Sequence, residues 1–180
     1  NCEDGTIEGF FEFLRLPYVG CDIISSAVGM DKAIFKDVLM AAGLPVLPCV
    51  RFYSKEYFHK KDEILAKIEK EIGLPCIVKP ANLGSSVGIS KAVTKEELLS
   101  AIDNASSFAD KILVERAVTG IREINCSVLG DYDECEASVC EEPIMHDDIL
   151  SFEDKYLGGG KKTGGSKGMT SLSRKLPAEI

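Results

Sequence analysis

The segment Cys76-Ile77-Val78-Lys79-Pro80-Ala81-Asn82-Leu83-Gly84-Ser85-Ser86-Val87-Gly88 constrains this chain more than any other. An apolar run of strand length ends on a lysine, and a proline then leads into a loop of glycines and serines. Open backbone N–H groups in such a loop, two hydroxyls and an ammonium together suit a polyphosphate. A tight β-hairpin with small turn residues and an exposed lysine has the same pattern, so both readings stand at this level. The run is neither G-x-x-x-x-G-K-[ST] nor G-x-G-x-x-G, which sets aside the P-loop and the Rossmann turn.

The flanking sequence supplies the elements around this loop. Thr6 to Leu14 has helical periodicity and stops before Pro17, and Pro17-Tyr18-Val19-Gly20 reads as a turn or short strand. Ser25 and Ser26 offer N-caps for one helix from about Ala27 to Ala42, ended by Gly43 with Pro45 beyond it. Val46 to Tyr53 is strand-like, and Asp62 to Ile72 is an amphipathic helix closed by Gly73. Leu74 to Lys79 and Ile89 to Val93 read as short strands on either side of the loop. Thr94-Lys95-Glu96-Glu97 fits a capping box for a helix to about Ala105. Lys111 to Val118, Ile121 to Leu129 and Glu134 to Ile144 read as further strands. From Met145 onward, glycines among Lys, Ser and Thr predict a long loop. Helices grouped beside antiparallel-looking strands predict an α+β fold, not a regular parallel alternation.

Bulk properties exclude some classes. A net charge of -8 and no basic stripe argue against nucleic acid as partner. No apolar run approaches the ~20 residues that span a bilayer, and no signal-peptide pattern is present, so a cytoplasmic protein is expected. Seven scattered cysteines with no C-x-x-C pair predict reduced, mostly buried thiols, not a disulfide framework or a zinc site.

Three further features carry possible chemistry. Glu115 and Arg116 follow the apolar run Lys111–Val114, where an acid can accept from an adenine amino group or a ribose hydroxyl; a surface ion pair is the plainer reading of the segment alone. Lys32, in Met30-Asp31-Lys32, lies early in the predicted helix, where most lysines are solvated. Lys155-Tyr156 enters the glycine-rich stretch, which is either linker or a lid over a reaction.

Taken in order, six motifs resemble the D-alanine–D-alanine ligases of the ATP-grasp superfamily. They are Glu3-Asp4-Gly5, Pro17-Tyr18-Val19-Gly20, Ser26-Ala27 with Met30-Asp31-Lys32, Val78-Lys79-Pro80 through Gly84 to Gly88, Leu113-Val114-Glu115 with Arg122-Glu123, and Asp154-Lys155-Tyr156. The resemblance implies an ATP-grasp fragment: a remnant of an N-terminal domain over 1–24, a central subdomain over 25–115, and an incomplete C-terminal subdomain with a lid over 116–180.

The resemblance also implies roles. Lys32 and Lys79 would hold ATP phosphates, and Gly84, Ser85, Ser86, Val87 and Gly88 would fold over the β- and γ-phosphates. Glu115, Arg116 and Val118 would line the adenine, and Glu123 would take the ribose hydroxyls. Ser85 and Tyr156 would position the first D-alanine, and Lys155 would reach phosphate from the lid. The implied reaction joins two D-alanines through an acyl phosphate for peptidoglycan precursors, in a homodimeric parent enzyme. Magnesium ligands are expected beyond Ile180 and the N-terminal domain before Asn1, so the chain is expected to be truncated at both ends and to bind nucleotide without making dipeptide. D-serine or D-lactate as second substrate, a different ATP-grasp carboxylate–amine ligase, and a non-catalytic nucleotide-binding fragment stay open.

Overall fold

The computed structural model describes residues 3–143 and 178–179. The chain divides into two compact units, Asn1–Ala117 and Val118–Ile180. The first contains α1 (Thr6–Phe13), α2 (Ile23–Met30), α3 (Lys32–Ala41), β1 (Cys49–Tyr53), α4 (Ser54–His59), α5 (Lys61–Glu71), β2 (Cys76–Pro80), β3 (Ser90–Ala92), α6 (Lys95–Ser106) and β4 (Lys111–Arg116).

Its four strands form one sheet in the order β1-β4-β2-β3, with every neighbouring pair antiparallel. The last strand in sequence therefore lies between β1 and β2. Strand alternation sends Val50, Phe52, Cys76, Val78, Ala92, Ile112 and Val114 to one face, where they pack on helical residues including Ile64, Ile68, Leu98 and Ile102. The other face has a small apolar patch of Ala33, Ala81, Leu113 and partly buried Cys49. Alanines at the contact between α3 and the chain after β2 let the backbones approach closely, and the Lys32 N–H donates to the Ala81 carbonyl at 2.8 Å.

The α+β class is as predicted, and several boundaries differ. The single helix over 27–42 is two, because Asp31 breaks it. The Asp31 backbone is extended, and its carboxylate accepts from the Ala33 and Ile34 N–H groups, which makes it the N-cap of α3. Asp22, not Ser25 or Ser26, caps α2 by accepting from the Ser25 N–H at 2.7 Å. Gly43 does end α3 in a left-handed conformation, φ +75. The strand expected from Val46 starts at Cys49, after Pro48, whose ring nitrogen cannot donate to a ladder. The short α4 had no periodic signature to reveal it.

At α6 the capping box is present with one shift. The Thr94 hydroxyl accepts from the Glu97 N–H at 3.2 Å, and the Glu97 carboxylate accepts from the Val93 N–H at 2.7 Å, one residue before the cap.

In the second unit, β5 (Val128–Gly130) and β6 (Cys135–Ala137) form an antiparallel hairpin whose turn is organised by Asp131. Its carboxylate accepts from the N–H groups of Asp133 and Glu134. The pair β7 (Glu142–Pro143) and β8 (Ala178–Glu179) is also antiparallel, and Arg122 grips Glu142 through two nitrogens at 2.8 and 2.5 Å. The strands expected over Ile121–Leu129 and Glu134–Ile144 are thus much shorter, and Ile144 lies outside the described residues. The expectation of mostly buried thiols is also corrected. Cys76 is buried and Cys49 partly so, whereas Cys21, Cys126, Cys135 and Cys140 are exposed, three of them on or beside the solvated β5–β6 hairpin. All six are unpaired. Among the described residues no helix is long and apolar enough to cross a membrane.

Two stability outcomes follow from these contacts. Ile102, fully buried between α6 and the sheet, should cost about 2–5 kcal/mol on Ile102→Ala, read as a lower denaturation midpoint with unchanged slope. Thr94→Ala should cost about 1 kcal/mol by the same measurement, since it orphans the Glu97 N–H.

Candidate functional site

The polar face of the first sheet, opposite the main core, gathers charge. Cross-strand register puts Lys79 opposite Leu113 and Ile77 opposite Glu115, and alternation brings Lys79, Lys111 and Glu115 to the same side. Cys49 lies opposite Glu115 and Arg51 opposite Leu113 on the other neighbour. α3 covers this face and adds Lys32 and Lys36, one helical turn apart and so on one side of the helix. Five cations (Lys32, Lys36, Arg51, Lys79 and Lys111) here meet three carboxylates (Asp31, Asp37 and Glu115), in a chain whose net charge is -8.

The pairings are specific. Lys111 donates to Asp31 at 2.7 Å, and Arg51 to Asp37 at 2.6 Å and to the Ala33 carbonyl at 3.0 Å. Glu115 is shared. One carboxylate oxygen accepts from Lys79 and the other from Lys36 at 2.9 Å, and its side chain is 10% exposed. Lys36 also donates to the Leu47 carbonyl at 2.8 Å. Lys32 reaches the carbonyls of Ala81 and Leu83, which ties α3 to the loop after β2.

That loop, residues 81–89 between β2 and β3, contains a tight turn. The Val87 N–H returns to the Gly84 carbonyl at 3.2 Å, and the two residues between, Ser85 and Ser86, have φ +54 and +60. Positive φ at both central positions is the pattern of a primed hairpin turn, which asparagine and glycine adopt far more readily than serine. Left-handed backbone at two serines costs roughly 1 kcal/mol each, the kind of strain that accompanies a backbone held for a ligand. Gly88, φ +70, is required: a Cβ there would stand 2.9 Å from both Phe108 Cδ2 and Pro80 Cγ. The Glu3 carboxylate lies beside Gly84, with Oε2 3.5 Å from where a Cβ would project.

Of the residues expected from sequence, Lys32, Lys79 and Glu115 come together on this face. Gly84, Ser85, Ser86, Val87 and Gly88 join them through the Leu83 carbonyl. Arg116 does not bring its side chain to them. The next residue of a strand points the other way, and its Nε faces the Ile72 carbonyl at 3.4 Å. Val118 and Glu123 belong to the second unit, where Val118 is half exposed and Glu123 partly buried outside any strand. Lys155, Tyr156 and the glycines from Gly158 to Gly168 lie outside the described residues. Sequence reasoning missed Lys36: its place four residues after Lys32 sets only the side of the helix, and the Glu115 carboxylate beneath it is a non-local contact. It also read the Glu115 alternative as a surface pair, whereas the pair is buried.

Burial pushes the Glu115 carboxyl up, but the Lys79 and Lys36 ammoniums outweigh it and hold it below the ordinary value of 4.5. The unfolded chain therefore protonates first on acidification. The stability contributed by the cluster is complete above 4.5 and is lost as the pH falls through the lower folded value. Denaturation between about pH 6 and about pH 3 should show this acid loss, and Glu115→Gln should be less stable at neutral pH with a flatter acid limb. An acid limb equally steep in the variant would contradict this.

Comparison with known proteins fits this arrangement. A family model described as D-ala D-ala ligase C-terminus matches residues 38–177. The D-alanine--D-alanine ligase of Caldicellulosiruptor bescii is 46% identical over 180 residues, all of this chain and 47% of that protein. That of Heliobacterium modesticaldum is 44% identical over 162 residues, 90% of this chain and 44% of the relative. Among solved structures, the VanG D-Ala:D-Ser ligase from Enterococcus faecalis matches with a TM-score of 0.71 at 36% identity, covering 79% of this chain and 40% of that one. The D-alanine-D-alanine ligase from Coxiella burnetii matches with 0.71 at 35%, covering 79% and 41%. This chain spans less than half the length of these relatives. With a family model across most of its length and relatives so similar in sequence and in structure, the chain belongs to the D-alanine–D-alanine ligase family of ATP-grasp enzymes.

Proposed function

We propose that the lysine-rich face of the first unit takes the phosphates of ATP in an enzyme that joins two D-alanines through an acyl phosphate, for peptidoglycan precursors. The observation that carries this reading is the convergence of Lys32, Lys79 and Glu115 on one sheet face, beside a hairpin turn held in left-handed backbone. In this reading Lys32 and Lys79 neutralise phosphate charge, and N–H groups of the Gly84–Gly88 turn add donors without a side chain in the way. The end of β4 at Glu115 and Arg116, with Val118 after it, meets the adenine, and Glu123 takes the ribose. Ser85 with Tyr156 positions the first D-alanine, and Lys155 closes over phosphate.

The chemistry asks little covalent work of these residues. Phosphoryl transfer to the D-alanine carboxylate needs its charge neutralised in a fixed geometry, and the acyl phosphate needs protection from water until the second amine attacks. A face with more cations than carboxylates serves the first need.

The magnesium implied by the family is not fitted by the described residues. Among them no group of three His, Cys, Asp or Glu could hold a metal ion, and Asp31, Asp37 and Glu115 each already receive an ammonium or guanidinium.

D-alanine is favoured as the second substrate over D-serine because the curated relatives near 45% identity carry the D-alanine name. The D-Ala:D-Ser ligase is a structural match at 36%. A homodimeric, cytoplasmic parent completes the proposal.

Calorimetric titration of the intact protein with a non-hydrolysable ATP analogue tests this. Lys79→Met should weaken binding by about tenfold or more, ~1.4 kcal/mol, while Lys70→Met on the exposed side of α5 should leave it unchanged. Equal affinity in Lys79→Met and wild type would refute the phosphate role. D-alanine-dependent ADP release in the intact protein should fall with the same variant.

A further inference from the structure

Lys36 has no role in the site as described, yet it is among the most firmly held cations on this face. Its side chain is 15% exposed, and its ammonium bridges the second oxygen of Glu115 at 2.9 Å and the Leu47 carbonyl at 2.8 Å. Lys79 has a different situation on the same carboxylate, since among the described residues it donates only to the first oxygen of Glu115. The three groups together carry one net positive charge.

We propose that Lys36 is a positioning residue that keeps Glu115 paired, so that Lys79 can leave Glu115 for an incoming phosphate. Glu115 is buried, and a buried carboxylate that loses its only counter-ion is strongly disfavoured. Were Lys79 the sole partner, turning toward a phosphate would strand that charge, and Glu115 would compete with the ligand for the lysine. Lys36 removes the competition. Anchored at the Leu47 carbonyl, it stays on Glu115 whether Lys79 is there or not, and the ammonium of Lys79 is left as the movable charge. Lys36 thereby strengthens anion binding without touching the anion.

This inference rests on the nucleotide reading above for the identity of the anion, but the charge clamp can be measured without nucleotide. The rate at which acetic anhydride acetylates Lys79, read by peptide mass spectrometry on the intact protein, reports how tightly Glu115 holds it. Lys36→Met should slow Lys79 acetylation by about tenfold, and Lys36→Met with Glu115→Gln should restore it, because the orphan charge is gone. Affinity for inorganic tripolyphosphate, which lacks the adenine that Glu115 meets, should follow the same order: lowered about tenfold in Lys36→Met, recovered in the double variant, and near wild type in Lys36→Arg. If Lys36→Met does not fold, Lys36→Gln serves in its place, with the same double variant.

Unchanged Lys79 labelling in Lys36→Met overturns the proposal. So does lost tripolyphosphate affinity that Glu115→Gln fails to recover, since Lys36 would then contact the anion or merely support the fold. If labelling follows the expected order while the wild-type protein binds no nucleotide, the clamp stands and the nucleotide reading of the face fails.

Discussion

A carboxylate inside a folded protein must be paired or it raises the free energy of the whole structure. Glu115 sits on the central strand of the first sheet, and the elements around it are arranged to meet that demand. β2 brings Lys79 across the ladder, α3 brings Lys36 over the face, and the segment before β1 supplies the carbonyl that holds Lys36 in place. The same helix begins at Asp31, whose carboxylate both caps α3 and pairs with Lys111 on Glu115's own strand. α3 is thus attached to the sheet by charge at both ends of its first turns, with only the small Ala33 patch between.

The two faces of this sheet divide the work. One is apolar and carries the helices α5 and α6; it supplies most of the buried hydrophobic surface and hence most of the favourable free energy of folding. The other has little apolar area and is organised by ion pairs, which contribute less to net stability but fix the position and charge of each group. A surface that must accept a highly charged ligand benefits from that division, because its side chains can shift partner without disturbing the packed side.

Much of this was legible in the sequence. Lys79, the small-residue turn after it and Glu115 stand out because their chemistry conflicts with the apolar strands that end in them, and the ordered motifs then indicate the family. The rest was hidden for physical reasons. Asp31 looked like part of a continuous helix because an N-cap can follow a helical turn directly, with no glycine or proline to mark the break. Lys36 looked like any solvated lysine until β4 placed a carboxylate beneath it, a contact separated by 79 residues in the chain and invisible to local pattern. The pairing of β4 between β1 and β2 is equally non-local.

That strand order has a consequence for how the molecule comes into being. β4 is the last strand of the first sheet to be synthesised, yet β1 and β2 bond to it and not to each other. A nascent chain that has left the ribosome only as far as α6 holds a lone strand and one hairpin that no ladder yet joins. Completion of the sheet and assembly of the charged face are then the same event: the strand that closes the ladder is the one that delivers Glu115. A chain that stops short of β4 has the Lys79 hairpin and α3 without the carboxylate that Lys79 and Lys36 share.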